Sequence, residues 1–189
     1  MEIEEFFYNC SRQYIWSLAP ELRDEVLDII TNLPKRDKQE DINRDFHWLL
    51  VTDGWSYDSN PAGLPVRPPA DLNIDGTLDL VKNDRTLCLS STTLDAGWHC
   101  DFGKQYEDKL VQLEVQFGKV ELMFKDFCGF AIAYHERRLA LGVEIVLCSP
   151  SNYFNHRKSA VSGMAYFDIA KETLPAIGLD CPIWLIGMK

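Results

Sequence analysis

Glu114 and Gln116 stand two residues apart in an alternating run, LVQLEVQF at 110–117, so as a strand they project from one face. Asp101 falls in the preceding run, and a hairpin between the two runs would let it meet them. Two carboxylates and a carbonyl oxygen converging at one strand end form an all-oxygen site for a hard cation such as Mg²⁺, of the kind used with phosphate substrates. Such a cation lowers the pKa of an attacking water and neutralises charge that builds on phosphorus oxygens. The plain alternative is that Glu114 and Gln116 form the solvent face of a half-buried strand and Asp101 a surface charge. With 29 acidic residues in the chain, spacing of this kind also arises by chance.

The elements that would hold these residues follow from periodicity. Residues 20–33 read as a helix, with Pro20 at its start, Leu22, Val26, Ile29, Ile30 and Leu33 on one side, and Pro34 as its stop. Residues 41–51 read as a second helix. A proline-rich stretch at 56–85 has little periodicity and suits a ligand-clasping loop. Runs at 98–103 and 110–117, parted by a polar turn at 104–109, predict an antiparallel hairpin. In the second run Val111, Leu113, Val115 and Phe117 face one way, and Gln112, Glu114 and Gln116 the other. A helix over about 120–138 carries Met123, Phe124, Phe127, Phe130, Ala131 and Tyr134 as its stripe. A strand at 142–147, a polar loop at 149–163, a helix at 164–174 and a last strand at 182–186 complete the chain. That order predicts an α/β sandwich: a mixed β-sheet flanked by helices, in one domain spanning 1–189.

The chain has 189 residues, 46% hydrophobic and 25% charged, which excludes disordered and fibrous classes. No apolar run approaches the roughly 20 residues a membrane span needs, and the acidic start MEIEEFFYN is unlike a secretion signal. Six scattered cysteines without a CxxC pair predict reduced thiols in a cytoplasm. A zinc site from Cys88, His99 and Cys100 matches no standard spacing. The net charge of −10 disfavours nucleic acid only if the total counts, because phosphate needs a local basic surface. Basic residues do gather at 35–38, 82–85, 137–138 and 156–158, where a solvated surface is the bland reading. GxSxG, GxGxxG, P-loop and HExxH motifs are all lacking, which removes several enzyme classes.

The segment VQLEVQFGKVELMFKD at 111–126 closely resembles the strand–turn–helix of the BglII/BstYI group of restriction endonucleases. That group replaces the usual PD-(D/E)xK lysine with glutamine, and E-V-Q stands here at 114–116. DFGK at 101–104 is similar to the group's strand carrying a metal-binding aspartate. Looser likenesses are INRDFHWLLVTDGW at 42–55, GVEIVL at 142–147, SGMAYFD at 162–168 and PIWLIGM at 182–188.

The resemblance implies a restriction-endonuclease-like fold and a homodimeric, Mg²⁺-dependent type II enzyme that hydrolyses duplex DNA at a short palindromic site. By position, Asp101, Glu114 and Gln116 would be catalytic, with Asp101, Glu114 and the Val115 carbonyl on the metal. The stretch between Asp101 and Glu114 is longer than the resemblance leads one to expect. A longer turn at 105–108 would absorb the excess and makes Asp108 a rival for Asp101. Lys119 sits where the group places a DNA-reading residue. In the loop at 149–163, Asn155, Arg157, Lys158, Ser159 and Ser162 offer donors and acceptors to bases and phosphates. Another nuclease of the same core, for repair or junction resolution, and a non-catalytic DNA-binding dimer are the rival readings.

Overall fold

Alternation of apolar residues on both faces of the central runs dictates a sheet covered on each side, and that is what the chain builds. The computed structural model describes residues 1–72, 74, 82–94, 97–154 and 161–189. Six strands, β1 (Ile3–Tyr8), β2 (Ser56–Tyr57), β3 (Phe102–Tyr106), β4 (Lys109–Val115), β5 (Leu139–Leu147) and β6 (Ile183–Met188), form one mixed sheet in the order β1-β6-β5-β4-β3-β2. β4, β5 and β6 run parallel at its centre, while β1, β3 and β2 pair antiparallel outside them. The fold is α/β, a mixed sheet flanked by helices, as the element order predicts.

Side-chain alternation divides the core in two. Val111, Leu113 and Val115 of β4 join Leu141, Val143, Ile145 and Leu147 of β5 against α1 (Arg12–Leu18), α2 (Leu22–Asn32) and α3 (Gln39–Thr52). The opposite face packs Val146, Ile183 and Leu185 against α4 (Val120–His135) and α6 (Phe167–Ile177). A Cβ on Gly142 would lie 2.7 Å from the Phe130 ring, so glycine is what lets that ring sit flat on β5. Among the described residues, no helix is long and apolar enough to cross a membrane.

Several boundaries differ from the sequence reading. The first nineteen residues, given no element, supply edge strand β1 and helix α1. β1 has no simple alternation, because Ile3 and Phe7 pack on one core and Phe6 and Tyr8 on the other, with Glu4 and Glu5 side by side between them. The polar turn expected at 104–109 is only Glu107–Asp108, because Lys104 and Gln105 pair with Val111 and Leu110. Glu107, at φ 53°, takes the left-handed conformation the tight turn requires. The helix expected at 164–174 starts at Phe167 and runs past Pro175 to a left-handed Gly178 at φ 66°. Phe124 leaves the expected stripe of α4 and is 39% exposed, whereas Asp126 is buried in its place.

Lys104, drawn into the strand, has a structural partner. Its ammonium donates to Glu25 Oε1 at 2.7 Å, where Trp55 Nε1 (2.6 Å) and the Tyr106 hydroxyl (3.0 Å) also donate, tying α2 to the β3–β4 hairpin. Both members of the ion pair are mostly shielded, with side chains 19% and 15% exposed. Glu25→Ala leaves that ammonium with the Asp53 carbonyl at 2.7 Å but no counter-charge, takes the acceptor from two further donors, and is expected to lower unfolding stability by about 3 kcal/mol. Urea denaturation measures this; a loss under about 1 kcal/mol would show the hub to be incidental.

Candidate functional site

The three residues singled out first meet at the end of β4. Glu114 Oε2 accepts from the Asp101 backbone N–H at 3.1 Å, and Asp101 Oδ2 accepts from the N–H of Val115, the residue after Glu114, at 3.0 Å, so two crossed bonds tie the acids at the strand end. β4 lies between β3 and β5, and Glu114 is 6% exposed. The solvent-face alternative for Glu114 therefore fails: Gln112, on the same side, is wholly buried too and donates to the Leu87 and Leu89 carbonyls, both at 2.9 Å. Gln116 follows the strand, its amide nitrogen donating to Asp126 Oδ2 at 2.7 Å and its oxygen accepting from the Gly118 N–H at 2.7 Å. A Cβ at Gly118 would fall 2.8 Å from that oxygen, so glycine keeps the space open.

Two carboxylates that the sequence reading passed over complete the cluster. Asp126 projects from α4. Glu144 pairs in register with Glu114 on β5 and is fully buried, and among the described residues neither of its carboxyl oxygens has a hydrogen-bond partner. Burial pushes the Glu114 carboxyl well above its ordinary pKa, and the charges of Asp101, Asp126 and Glu144 push it further. Burial likewise raises Glu144, with Asp126 and Asp101 adding to it. Asp126 is lifted to about 6 by burial, against the hydrogen bond from Gln116. Asp101 opens to solvent at the rim of the site, yet the protein packed around it raises its pKa, opposed by the Val115 N–H bond. The sequence signal for Glu144 is an acid interrupting an otherwise apolar strand. Asp126 carried no signal beyond falling on the apolar side of α4.

Crowded carboxylates that resist ionisation suit a cation, because a positive charge relieves both desolvation and mutual repulsion. The available donors are all oxygen, which selects a hard ion. Among the described residues, no three Asp, Glu, His or Cys side chains form a ready-made metal cage. Two carboxylates plus one backbone carbonyl fit an ion that keeps much of its water, as Mg²⁺ does. Cys88 and Cys100 are buried thiols, and all six cysteines are unpaired.

The rival aspartate stands apart. Asp108 occupies the turn, 78% exposed, with Lys109 at 3.0 Å as its ion-pair partner. Lys119 is exposed at the start of α4, bridged to Met164, and the exposed Ser162 lies beside that bridge. Asn155, Arg157, Lys158 and Ser159 lie outside the described residues. Three arginines of the basic clusters serve the fold. Arg36 binds Asp45 and Asp71, Arg85 binds Asp58, and Arg138 donates to the Leu89 and Thr86 carbonyls.

On the other side of β4, a cavity of 140 Å³ reaches Asp101 and Val115 between Asn43, Phe46, His47 and Phe102. His47 is 3% exposed, packs edge-on against Tyr57 at 4.6 Å, and its Nδ1 has no hydrogen-bond partner among the described residues. Burial pushes its pKa from 6.5 to about 4. The folded protein thus refuses a proton that the unfolded chain accepts. Stability from this source is complete above pH 6.5 and lost as pH falls to 4. Between those values the wild type is expected to lose up to about 3 kcal/mol relative to His47→Phe in urea titrations. Superimposable stability profiles for the two proteins would refute this.

Comparison with known proteins places these features in context. The family model described as restriction endonuclease BglII/BglIII matches residues 3–188. The crystal structure of restriction endonuclease BglII complexed with a DNA 16-mer shares the fold at a TM-score of 0.63 and 17% identity. The match covers 100% of this chain and 78% of that one. No curated protein matches the sequence.

Proposed function

The chain belongs to the restriction endonuclease BglII/BglIII family, and from that footing we propose that it is a type II restriction endonuclease, hydrolysing both strands of duplex DNA at a short palindromic site with Mg²⁺. The observation that carries this reading is the crossed pair of bonds at the end of β4, Asp101 N–H to Glu114 and Val115 N–H to Asp101, with Gln116 fixed beside it. Asp101, Glu114 and the Val115 carbonyl would hold the metal. When bound, Mg²⁺ acidifies water and offsets charge on the phosphoryl oxygens. The protein's own part is to hold the two carboxylates together, keep their basicity high and orient Gln116 toward the reacting groups. The Gln116 amide is neutral, so it can hydrogen-bond a phosphate oxygen or the attacking water without titrating near neutrality.

Lys119 and Ser162, together with Asn155, Arg157, Lys158 and Ser159, would contact the DNA. Lys119 follows the catalytic strand directly, so what it touches lies near the scissile phosphate. A single domain over 1–189 offers one such site, and a double-strand cut needs two, hence a homodimer. Exposed apolar surface on α4 suits that assembly: Phe124 is 39% exposed one turn before the exposed Cys128, and Leu122, on another flank of the helix, is 49% exposed. Six unpaired cysteines suit work in a reducing cytoplasm.

The test is digestion of a fully sequenced plasmid with Mg²⁺ and with a chelator, followed by mapping of every end. Discrete double-strand ends at one short symmetric sequence, absent with chelator, are expected. Cutting governed by DNA structure rather than sequence would make it a repair or junction nuclease. Binding without cleavage would make it a non-catalytic DNA-binding protein.

A further inference from the structure

We infer that Asp126, on helix α4, is a positioning residue of the active site that sets the orientation of the Gln116 side chain; this rests on the nuclease reading above. A glutamine amide rotates freely unless both its ends are committed, and its two hydrogens and one oxygen are otherwise interchangeable in space. Here both ends are committed. The nitrogen donates to Asp126 Oδ2 at 2.7 Å, and the oxygen accepts from the Gly118 N–H at 2.7 Å. A carboxylate accepts only and a backbone N–H donates only, so the pair reads the amide in one sense and forbids the flipped one. One amide hydrogen is thereby taken by Asp126. The other has no protein acceptor among the bonds of the described residues, and so remains for a phosphate oxygen or a water.

The placement of Asp126 suits this task. It is 5% exposed, so water does not compete for its oxygens. It rides on a sixteen-residue helix fixed to the sheet by Met123, Phe127 and Phe130, all buried to within 1%. It also neighbours Glu114, whose carboxyl it influences. An aspartate in that low-water environment is costly unless it has a partner, and Gln116 is the side chain that hydrogen-bonds to it. A charge-assisted bond of this length holds its donor more firmly than a neutral one. A lysine, by contrast, would present three equivalent hydrogens and need no such guide. A glutamine at this position depends on its neighbour for aim.

The experiment uses the full-length protein and a DNA fragment carrying the site mapped by plasmid digestion. Asp126→Ala should slow single-turnover cleavage about 10- to 100-fold, the usual cost of losing an outer partner. Affinity for the same fragment, measured in chelator, should stay within about threefold. Asp126→Asn, which keeps an acceptor oxygen of the same size, should recover most of the rate. On a Gln116→Ala background, Asp126→Ala should cost little more, because the two act as one unit. The metal-free protein adds an NMR readout independent of cleavage: the downfield shift of the Gln116 side-chain amide proton bonded to Asp126 should be lost in Asp126→Ala and largely kept in Asp126→Asn. Wild-type rates in Asp126→Ala overturn the inference, as does full additivity with Gln116→Ala. So does loss of rate in Asp126→Asn as deep as in Asp126→Ala. A wild-type protein that cleaves no DNA overturns the nuclease reading instead, and the NMR comparison then decides the geometry by itself.

Discussion

Glu114→Ala is expected to abolish DNA cleavage, by about 10³-fold or more, while leaving DNA binding close to wild type. The carboxylate is nearly enclosed, and its Oε2 receives the Asp101 backbone N–H. It is therefore held in place before any ligand arrives, which is what electrostatic catalysis requires of a group facing developing charge. Its loss removes one of two carboxylates from the proposed metal, and several kcal/mol of transition-state stabilisation go with it. Folding should not suffer comparably. Glu114 sits amid Asp101, Asp126 and Glu144, all of which make its ionisation harder, so removing one acid also removes repulsion that offsets the lost packing. The check is single-turnover cleavage at saturating Mg²⁺, alongside binding in chelator and thermal unfolding. A variant that cleaves near the wild-type rate removes Glu114 from the site. A variant that neither binds nor folds shows its role to be architectural.

The sheet and the site were legible to different depths in the sequence, for physical reasons. Strand β4 was readable because period-two alternation survives burial: Val111, Leu113 and Val115 mark one face whatever covers the other. The polar face misled, since Gln112 and Glu114 look like residues that meet water and are in fact roofed by the neighbouring loop and α4. Nothing local to β4 announces what lies above it. Glu144 is the sharper case, because a fully buried acid with no hydrogen-bond partner among the described residues contradicts the patterning rule that located its strand. Such breaches of pattern are where function is to be sought, and the like breach at Asp126 on the apolar side of α4 carries the same message. The adjacent Glu4 and Glu5 concealed β1 because they break period-two alternation, while its partly buried residues divide between two faces, Ile3 and Phe7 toward one core and Phe6 and Tyr8 toward the other. The hairpin turn was misplaced because Lys104 and Gln105 are polar for different reasons than turn residues are. Lys104 is held by Glu25 across the sheet, a partner 79 residues away in sequence.

That shift of the turn bears on the choice between the two aspartates, where a second large effect is expected: Asp101→Asn should lose cleavage by about 10³-fold, and Asp108→Asn by less than about twofold. The extra residues between Asp101 and Glu114 do not loop out. They lengthen the hairpin in register, Phe102 opposite Leu113 through Tyr106 opposite Lys109, so Asp101 stays level with the end of β4 while Asp108 is carried to the far tip. Asp101 Oδ2 reaches the Val115 N–H at 3.0 Å, whereas Asp108 is 78% exposed and paired with Lys109, itself 47% exposed, an interaction worth little. The asparagine substitution keeps size and the ability to accept the Val115 N–H, so a loss of activity would report charge rather than packing. Asparagine also lowers the repulsion on Glu114, so the metal-free Asp101→Asn protein should unfold at the wild-type temperature or above it. Loss of cleavage in Asp108→Asn with Asp101→Asn active would mean that the hairpin register slides by several residues in the working enzyme. Equal and small losses in both would place the metal-binding aspartate elsewhere, with Asp126 the first to examine.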